Sequence, residues 1–222
     1  MKIKGAIFDV DGVILDSMKI WNEIGSKFLD SLKIAHDKNI DEFLKTMTIP
    51  QAILYLKNEF KINLSECEIK NKTREIVNKY YDCHVKLKSG VLDFLEMLKK
   101  NDVKICVATA NNYDTVKNTF DRLDIKKYFL EIFSCEKIDC DKQTSSKIFD
   151  IALDFLGLKK NDVVVFEDSL YAIKTVRKAN FFAIGMFDKY EIKNWDEIKN
   201  LANYCFKDFM AAKNFFLANK FI

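Results

Sequence analysis

The sequence predicts an α/β protein: a doubly wound parallel sheet with a separate helical unit inserted after its first strand. Three observations carry this. Short apolar runs without alternation recur at Ile3–Phe8, Val103–Ala108, Ile132–Ser134, Val163–Phe166 and Phe182–Met186, as expected of strands buried on both faces. Amphipathic helical patterns separate them, the signature of parallel strands joined by crossover helices. Residues 17–86 carry helix signals and no strand candidate. The expected organisation is therefore a discontinuous α/β core, residues 1–16 and 87–222, and a helical domain, 17–86.

Taken in order, the first strand ends abruptly in Asp9-Val10-Asp11-Gly12, two carboxylates and a glycine that permits a sharp turn. Ser17 is placed to cap a helix whose apolar residues Met18, Trp21, Ile24, Phe28, Leu29 and Leu32 keep helical spacing. After a polar break at His36–Asn39, a short helix is expected over Ile40–Lys45. Thr48 then caps a helix with Pro50, the only proline, in its first turn. Ser65 and Glu68 form a capping box for a longer helix over about residues 66–84.

In the second part, Val91, Phe94, Leu95 and Leu98 mark a helix before the Val103 strand, and Val116 and Phe120 mark the next. Ile148, Ile151, Ala152, Phe155 and Leu156 line a helix stopped by Gly157. Ile173 and Val176 mark the helix before the Phe182 strand, and Tyr204–Phe206 reads as a last edge strand.

The composition narrows the function. Hydrophobic residues make up 49% of 222, enough for a sizeable core. The net charge of +3 is spread as mixed Lys and Glu, without the basic, aromatic-interleaved cluster of a nucleic-acid binder. Six cysteines form no C-x-x-C pair, which fits free thiols in a reducing cytoplasm. Two histidines, His36 and His84, are too few for a histidine zinc site and poorly suited to a Ser-His triad. No signal peptide and no membrane-length apolar run is seen, so a cytoplasmic protein with no membrane partner is expected.

Every chemically notable group lies just past an expected strand: Asp9 and Asp11, then Thr109, then Glu167 and Asp168. Parallel strands bring their C-terminal ends to one sheet edge, where such folds bind ligands. Acids this close in a cleft do not all ionise unless a cation or proton lies among them. Three of these carboxylates with a hydroxyl suit Mg²⁺, with waters and a phosphate completing its shell. Thr109 and the backbone N–H groups of Ala110 and Asn111, at a strand-to-helix turn, can cradle phosphate oxygens. Lys142, in the loop after Ser134, is the best-placed neutralising cation.

The order Asp9-x-Asp11-Gly12, Thr109, Lys142, Glu167-Asp168 resembles the four motifs of the haloacid dehalogenase superfamily in its phosphatase branch, and Phe166-Glu167-Asp168-Ser169 is close to the fourth motif. The helical insertion resembles the small cap of β-phosphoglucomutase-like and phosphoglycolate-phosphatase-like members. The resemblance implies a Rossmann-like core and Mg²⁺-dependent phosphoryl transfer from a small phosphorylated metabolite through an aspartyl-phosphate. Asp9 is then the nucleophile, and Asp11 the acid and base. Thr109, Ala110, Asn111 and Lys142 bind phosphate; Asp9, Asp11 (through its backbone carbonyl), Asp168 and Glu167 surround the metal, Glu167 either orienting metal-bound water or holding Lys142. The departure lies at the third motif, where Lys142-Gln143 replaces the usual lysine-proline and Lys147 stands nearby. Ser134-x-Glu136 ahead of Lys142 favours Lys142.

The insertion is the least legible part. Trp21, Lys45, Thr46 and His84 are candidates to face substrate, with packing or plain surface as the competing reading for each. Hinges are expected near Asp16 and Leu87. A phosphosugar mutase is the alternative activity, but the positions matching the cap histidine and arginine of β-phosphoglucomutase are Trp21 and Ile49, and the one arginine of the insertion is Arg74. A phospho-accepting receiver domain is a third reading, opposed by the first-strand position of Asp9 and by the insertion. The oligomeric state is not legible, and a monomer is compatible with the sequence.

Overall fold

The computed structural model describes residues 2–222, without the side chain of Ile49. The chain divides into two compact units: residues up to Asp16 together with Lys86–Ile222, and Ser17–Val85. No helix among the described residues is long and apolar enough to cross a membrane.

The first unit is built on six strands: β1 Gly5–Phe8, β2 Lys104–Thr109, β3 Ile132–Ser134, β4 Val163–Glu167, β5 Phe182–Met186 and β6 Tyr204–Phe206. They form one sheet in the order β3-β2-β1-β4-β5-β6, every neighbouring pair parallel. The sequence winds outward from β1 to one side and then, from β4, to the other, which leaves a crevice at the carboxyl ends of the central strands. The ladder begins at Gly5 rather than Ile3; Ile3 and Lys4 instead donate to the carbonyls of Phe221 and Asp162.

Seven helices complete this unit: α6 Val91–Lys100, α7 Tyr113–Arg122, α8 Cys135–Ile138, α9 Lys147–Leu156, α10 Leu170–Lys178, α11 Trp195–Leu201 and α12 Phe209–Ala218. Adjacent residues of β1 serve opposite faces, as the two-residue period of a strand demands. Ile7 joins Phe149, Ala152, Val165 and Ile173, the layer of α9 and α10. Phe8 stacks on Phe166 at 4.4 Å and meets Phe94 edge-on at 6.3 Å, and Phe209 and Phe216 complete that aromatic layer from α12. Gly157 ends α9 in the left-handed conformation at φ 63°, as its type requires.

The second unit holds α1 Met18–Asn22, α2 Ile24–Ser31, α3 Ile40–Leu44, α4 Ile49–Glu59 and α5 Glu66–Cys83 around Phe28, Leu29, Ile40, Ile53, Leu56 and Ile69. The Ser65–Glu68 capping box forms, the Glu68 N–H donating to Ser65 Oγ at 3.2 Å and the Ser65 N–H to Glu68 Oε2 at 2.7 Å. At Thr48 the N–H and hydroxyl both reach Gln51 Oε1.

The helix expected over Met18–Leu32 is broken at Glu23, with φ −122° and ψ 11°. The cause is Asp41, whose Oδ1 accepts the N–H groups of Gly25 and Ser26 at 2.8 and 3.0 Å and so caps a second helix from outside the segment. Ser17 makes no side-chain cap. Apolar spacing continues through the break, so periodicity alone does not reveal it.

Candidate active site

The turn after β1 is fixed by its own backbone. The Asp9 N–H donates to the Phe166 carbonyl at 2.9 Å, which ties the end of β1 to β4. Gly12 takes φ 79°, a left-handed value that a side chain would strain. Val10 O then accepts the N–H groups of Ile14 and Leu15, and Gly12 donates back to Leu15 O at 3.0 Å. This closed turn presents both acids at the sheet edge.

Asp9, Glu167 and Asp168 are buried together, each offering a carboxylate oxygen within 4.8 Å of the others. Lys142 sits among them, 2% exposed, with Nζ 2.5 Å from Asp9 Oδ1 and 2.7 Å from Glu167 Oε1. Burial would lower the lysine, but the two carboxylates overcome it and hold its pKa above the usual value. The acids move the other way. Burial, helped by the Glu167 charge and opposed by Lys142, pushes Asp9 up to about 7. Burial also raises Glu167, with Lys142 and the Asp168 and Ser169 N–H groups opposing. Asp168 rises well above the carboxylate range through burial and then the charges of Asp9, Glu167 and Asp188.

Asp168 Oδ2 is buried with no hydrogen-bond partner. Such an atom costs about 1–3 kcal/mol, more when charged, unless something else meets it. Three carboxylates against one ammonium ion leave the pocket short of positive charge. An all-oxygen donor set with one bare oxygen fits a hard divalent cation.

Of the other expected residues, Thr109 is fully buried at the end of β2, and its Oγ1 accepts the Asn111 N–H at 3.0 Å. Ala110 is exposed. The side chain of Asn111 donates from Nδ2 to Asp11 Oδ2 at 2.9 Å, while its carbonyl accepts from Ser134 Oγ at 2.7 Å. Asp11 stands outside the carboxylate cluster. Glu136 accepts from Asn112 Nδ2 at 2.6 Å, which links α8 to the start of α7. Lys147, the competing lysine, points its ammonium ion to Ile138 O at 2.9 Å and is exposed.

The candidates in the helical unit are engaged locally. Trp21 Nε1 donates to Tyr81 OH at 2.9 Å, with the rings edge to face. Lys45 pairs with Glu42 at 2.6 Å, and Thr46 Oγ1 donates to Phe43 O at 2.8 Å. His84 is exposed against Tyr80, and Arg74 is exposed on α5.

Two residues absent from the sequence reading stand beside the pocket. Lys88 and the buried Asp188 form an ion pair at 3.1 Å, and their charges act on Asp168 in opposite directions. The only signal available in the sequence is arithmetic: an acid cluster this dense demands more buried cations than Lys142.

Comparison with known proteins agrees with this geometry. Residues 6–186 match the haloacid dehalogenase-like hydrolase family. A phosphorylated carbohydrates phosphatase from Thermotoga maritima is 23% identical over 177 residues, 80% of this chain and 82% of that protein. Among solved structures, a Thermotoga maritima protein provisionally assigned as a beta-phosphoglucomutase superimposes with a TM-score of 0.81 at 21% identity, covering 99% of this chain and 100% of its own. CbbY from Rhodobacter sphaeroides, in complex with phosphate, gives 0.77 at 20% identity over 93% and 95%. At such identities these likenesses speak to the fold; the family match runs from β1 to the end of β5 and takes in every acid of the pocket, and the chain belongs to the haloacid dehalogenase-like hydrolases.

Proposed function

We propose that this hydrolase is a Mg²⁺-dependent phosphatase acting on a small phosphorylated metabolite such as a sugar phosphate. The observation that carries the reading is the buried pocket in which Asp9, Glu167 and Asp168 surround Lys142 while Asp168 Oδ2 lacks a partner. The names of the Thermotoga phosphatase and of the phosphate complex of CbbY point to the same substrate class.

In this reading Asp9 attacks phosphorus as the leaving oxygen departs, and an aspartyl-phosphate forms. Asp11, oriented by the Asn111 amide, gives its proton to the leaving alcohol and then takes one from the attacking water. Lys142 opposes the burial that raises Asp9, aims its carboxylate, and supplies positive charge to the equatorial oxygens together with Thr109 and the N–H groups of Ala110 and Asn111. Glu167 anchors Lys142. Asp9, Asp168 and the Asp11 backbone carbonyl, with Glu167 adjacent, are the groups that would hold Mg²⁺. The ion supplies the charge neutralisation that lets an anionic nucleophile meet an anionic ester. Ser17–Val85 serves as the cap that selects substrate.

Hydrolysis is favoured over phosphosugar mutation. A mutase must grip a second phosphate, for which a bidentate guanidinium is the effective group. Trp21 is committed to Tyr81 and the Lys45 ammonium ion to Glu42.

The test is a panel of phosphorylated metabolites assayed for phosphate release with Mg²⁺ and with chelator. Release that depends on Mg²⁺ is expected. Release undiminished by chelator, or glucose 1-phosphate isomerised to glucose 6-phosphate faster than phosphate appears, overturns the reading.

A further inference from the structure

The loop that presents Asp9 and Asp11 does not stand alone; a lysine 76 residues further on grips it. Lys88 belongs to the return segment between the helical unit and α6. That segment runs beside the turn after β1: Asp16 N–H donates to Lys86 O and Lys88 N–H to Ile14 O, both at 2.9 Å, and Leu15 bridges Leu87 antiparallel. Ser89 O accepts from the Phe209 N–H at the start of α12, which fixes the same segment from its other side.

The Lys88 side chain, 17% exposed, then folds inward. Its ammonium ion has three hydrogens and meets three acceptors: Gly12 O at 2.5 Å, Phe187 O at 2.7 Å and Asp188 Oδ2 at 3.1 Å. Asp188 is itself held, its Oδ1 accepting the Tyr190 N–H at 2.9 Å. Gly12 follows Asp11 directly, and Phe187 follows the last residue of β5. One ammonium ion therefore joins the loops after β1 and β5, on two strands that are not neighbours and that flank β4 with its Glu167 and Asp168.

A lysine needed only to neutralise Asp188 has no reason to spend two of its three donors on carbonyls. Carbonyl contacts fix position, because each must be matched in distance and direction. A displacement of about 1 Å at reacting groups can cost ~100-fold in rate, so a fixed Gly12 carbonyl bears directly on the acids beside it.

We propose that Lys88 is a positioning residue: it clamps the turn that carries Asp9 and Asp11 to the loop after β5, and so holds those acids in place against Asp168 and Lys142. The proposal rests on the reading of Asp9 and Asp11 as the reacting pair. It predicts that the clamp acts on turnover rather than on substrate affinity.

The experiment compares wild type with Lys88→Met and the double variant Lys88→Met/Asp188→Asn, each checked for a cooperative thermal transition. Two measurements are made: kcat and KM for p-nitrophenyl phosphate at saturating Mg²⁺, and amide hydrogen exchange of the metal-free proteins. Lys88→Met is expected to lower kcat at least tenfold with KM changed less than threefold. Peptides covering residues 9–16 and 187–190 should exchange at least tenfold faster, with those of β2 and α9 unchanged. The double variant should stay at the Lys88→Met level, since restoring charge balance does not restore the carbonyl contacts. Unchanged exchange, an unchanged kcat, a rise in KM alone, or a double variant that regains wild-type behaviour each overturns the clamp. Should Lys88→Met not fold, Lys88→Gln, shorter and neutral but still a donor, takes its place with the same criteria. If wild type hydrolyses no phosphate ester, the phosphatase reading fails, and the exchange measurement alone decides the clamp.

Discussion

Without a bound cation, the acid pocket works against folding, and the size of that effect can be worked out from Asp9. Its pKa moves from an ordinary 3.8 to about 7 on burial. Because the folded pKa is the higher one, the folded state binds more protons between these values, and stability falls as pH rises through that window. About three pH units at roughly 1.4 kcal/mol each give about 4 kcal/mol from Asp9 alone. Glu167 and Asp168 shift in the same direction and add to it. Lys142, raised above its ordinary value, loses nothing in this window, since a raised lysine stabilises at every pH below its unfolded pKa. About two of those pH units, roughly 3 kcal/mol, lie between pH 5 and pH 7; at about 2–4 °C per kcal/mol for a chain of this size, the metal-free protein should melt on the order of 6–12 °C lower at pH 8 than at pH 5. A divalent cation binds the ionised form and stabilises by mass action. Mg²⁺ should therefore raise the melting temperature strongly at pH 8 and little at pH 5. Differential scanning fluorimetry from pH 4.5 to 8.5, with Mg²⁺ and with chelator, measures both. A metal-free melting temperature that rises toward pH 8, or a Mg²⁺ increment independent of pH, would refute the argument.

Other consequences follow from single side chains. Asp9→Asn should abolish phosphate release while making the metal-free protein more stable at pH 8, as a buried charge is removed; turnover at the wild-type rate would show Asp9 to be misassigned. Lys142→Met should lower kcat at least a hundredfold and Lys147→Met change it less than twofold, because only Lys142 touches the acids; steady-state kinetics separates the two. Asn111→Ala should lower kcat about tenfold, the worth of one hydrogen bond to a charged group, with the melting temperature within a few degrees of wild type. Thiol titration of native protein should find Cys67 and Cys83 fast, and Cys106 and Cys135 silent until unfolding. The first pair is exposed; burial raises the Cys106 thiol and pushes Cys135 up to about 12.

What the sequence made legible was whatever depends on neighbouring residues. The strands of the sheet could be read because each is a short apolar run, and the acids because they end such runs. The convergence of Asp9 with Glu167 and Asp168 follows from parallelism alone. The break at Glu23 could not be read, since Asp41 supplies the cap from outside the helix. Nor could the Asn111 side chain be assigned to Asp11 or Lys88 to Gly12, partners lying 100 and 76 residues away. The sequence points only to the backbone N–H of Asn111, whereas its side-chain amide donates to Asp11. Glu167 left two roles open, and the distance to Lys142 favours an anchor. In each case the missing information was a long-range side-chain contact, which no local pattern encodes.

The same packing that makes the fold also shapes the pocket. The register that sets Phe8 opposite Phe166 places the next residues of both strands, Asp9 and Glu167, side by side at the sheet edge. Strand alternation puts them on the face of Ile7 and Val165, which pack with Phe149 into an apolar floor, the Phe149 ring lying 5.4 Å from Lys142 Nζ. An acid above such a floor loses hydration and cannot recover it by rotating away, because Lys142 and the closed turn at Gly12 hold it. Burial is accordingly the largest cause of every raised carboxyl in the pocket. A smaller or more polar residue at position 149 would rehydrate the acids and relax their shifts, and with them the demand for a cation. That apolar layer is therefore part of the site's electrostatics as well as of the core.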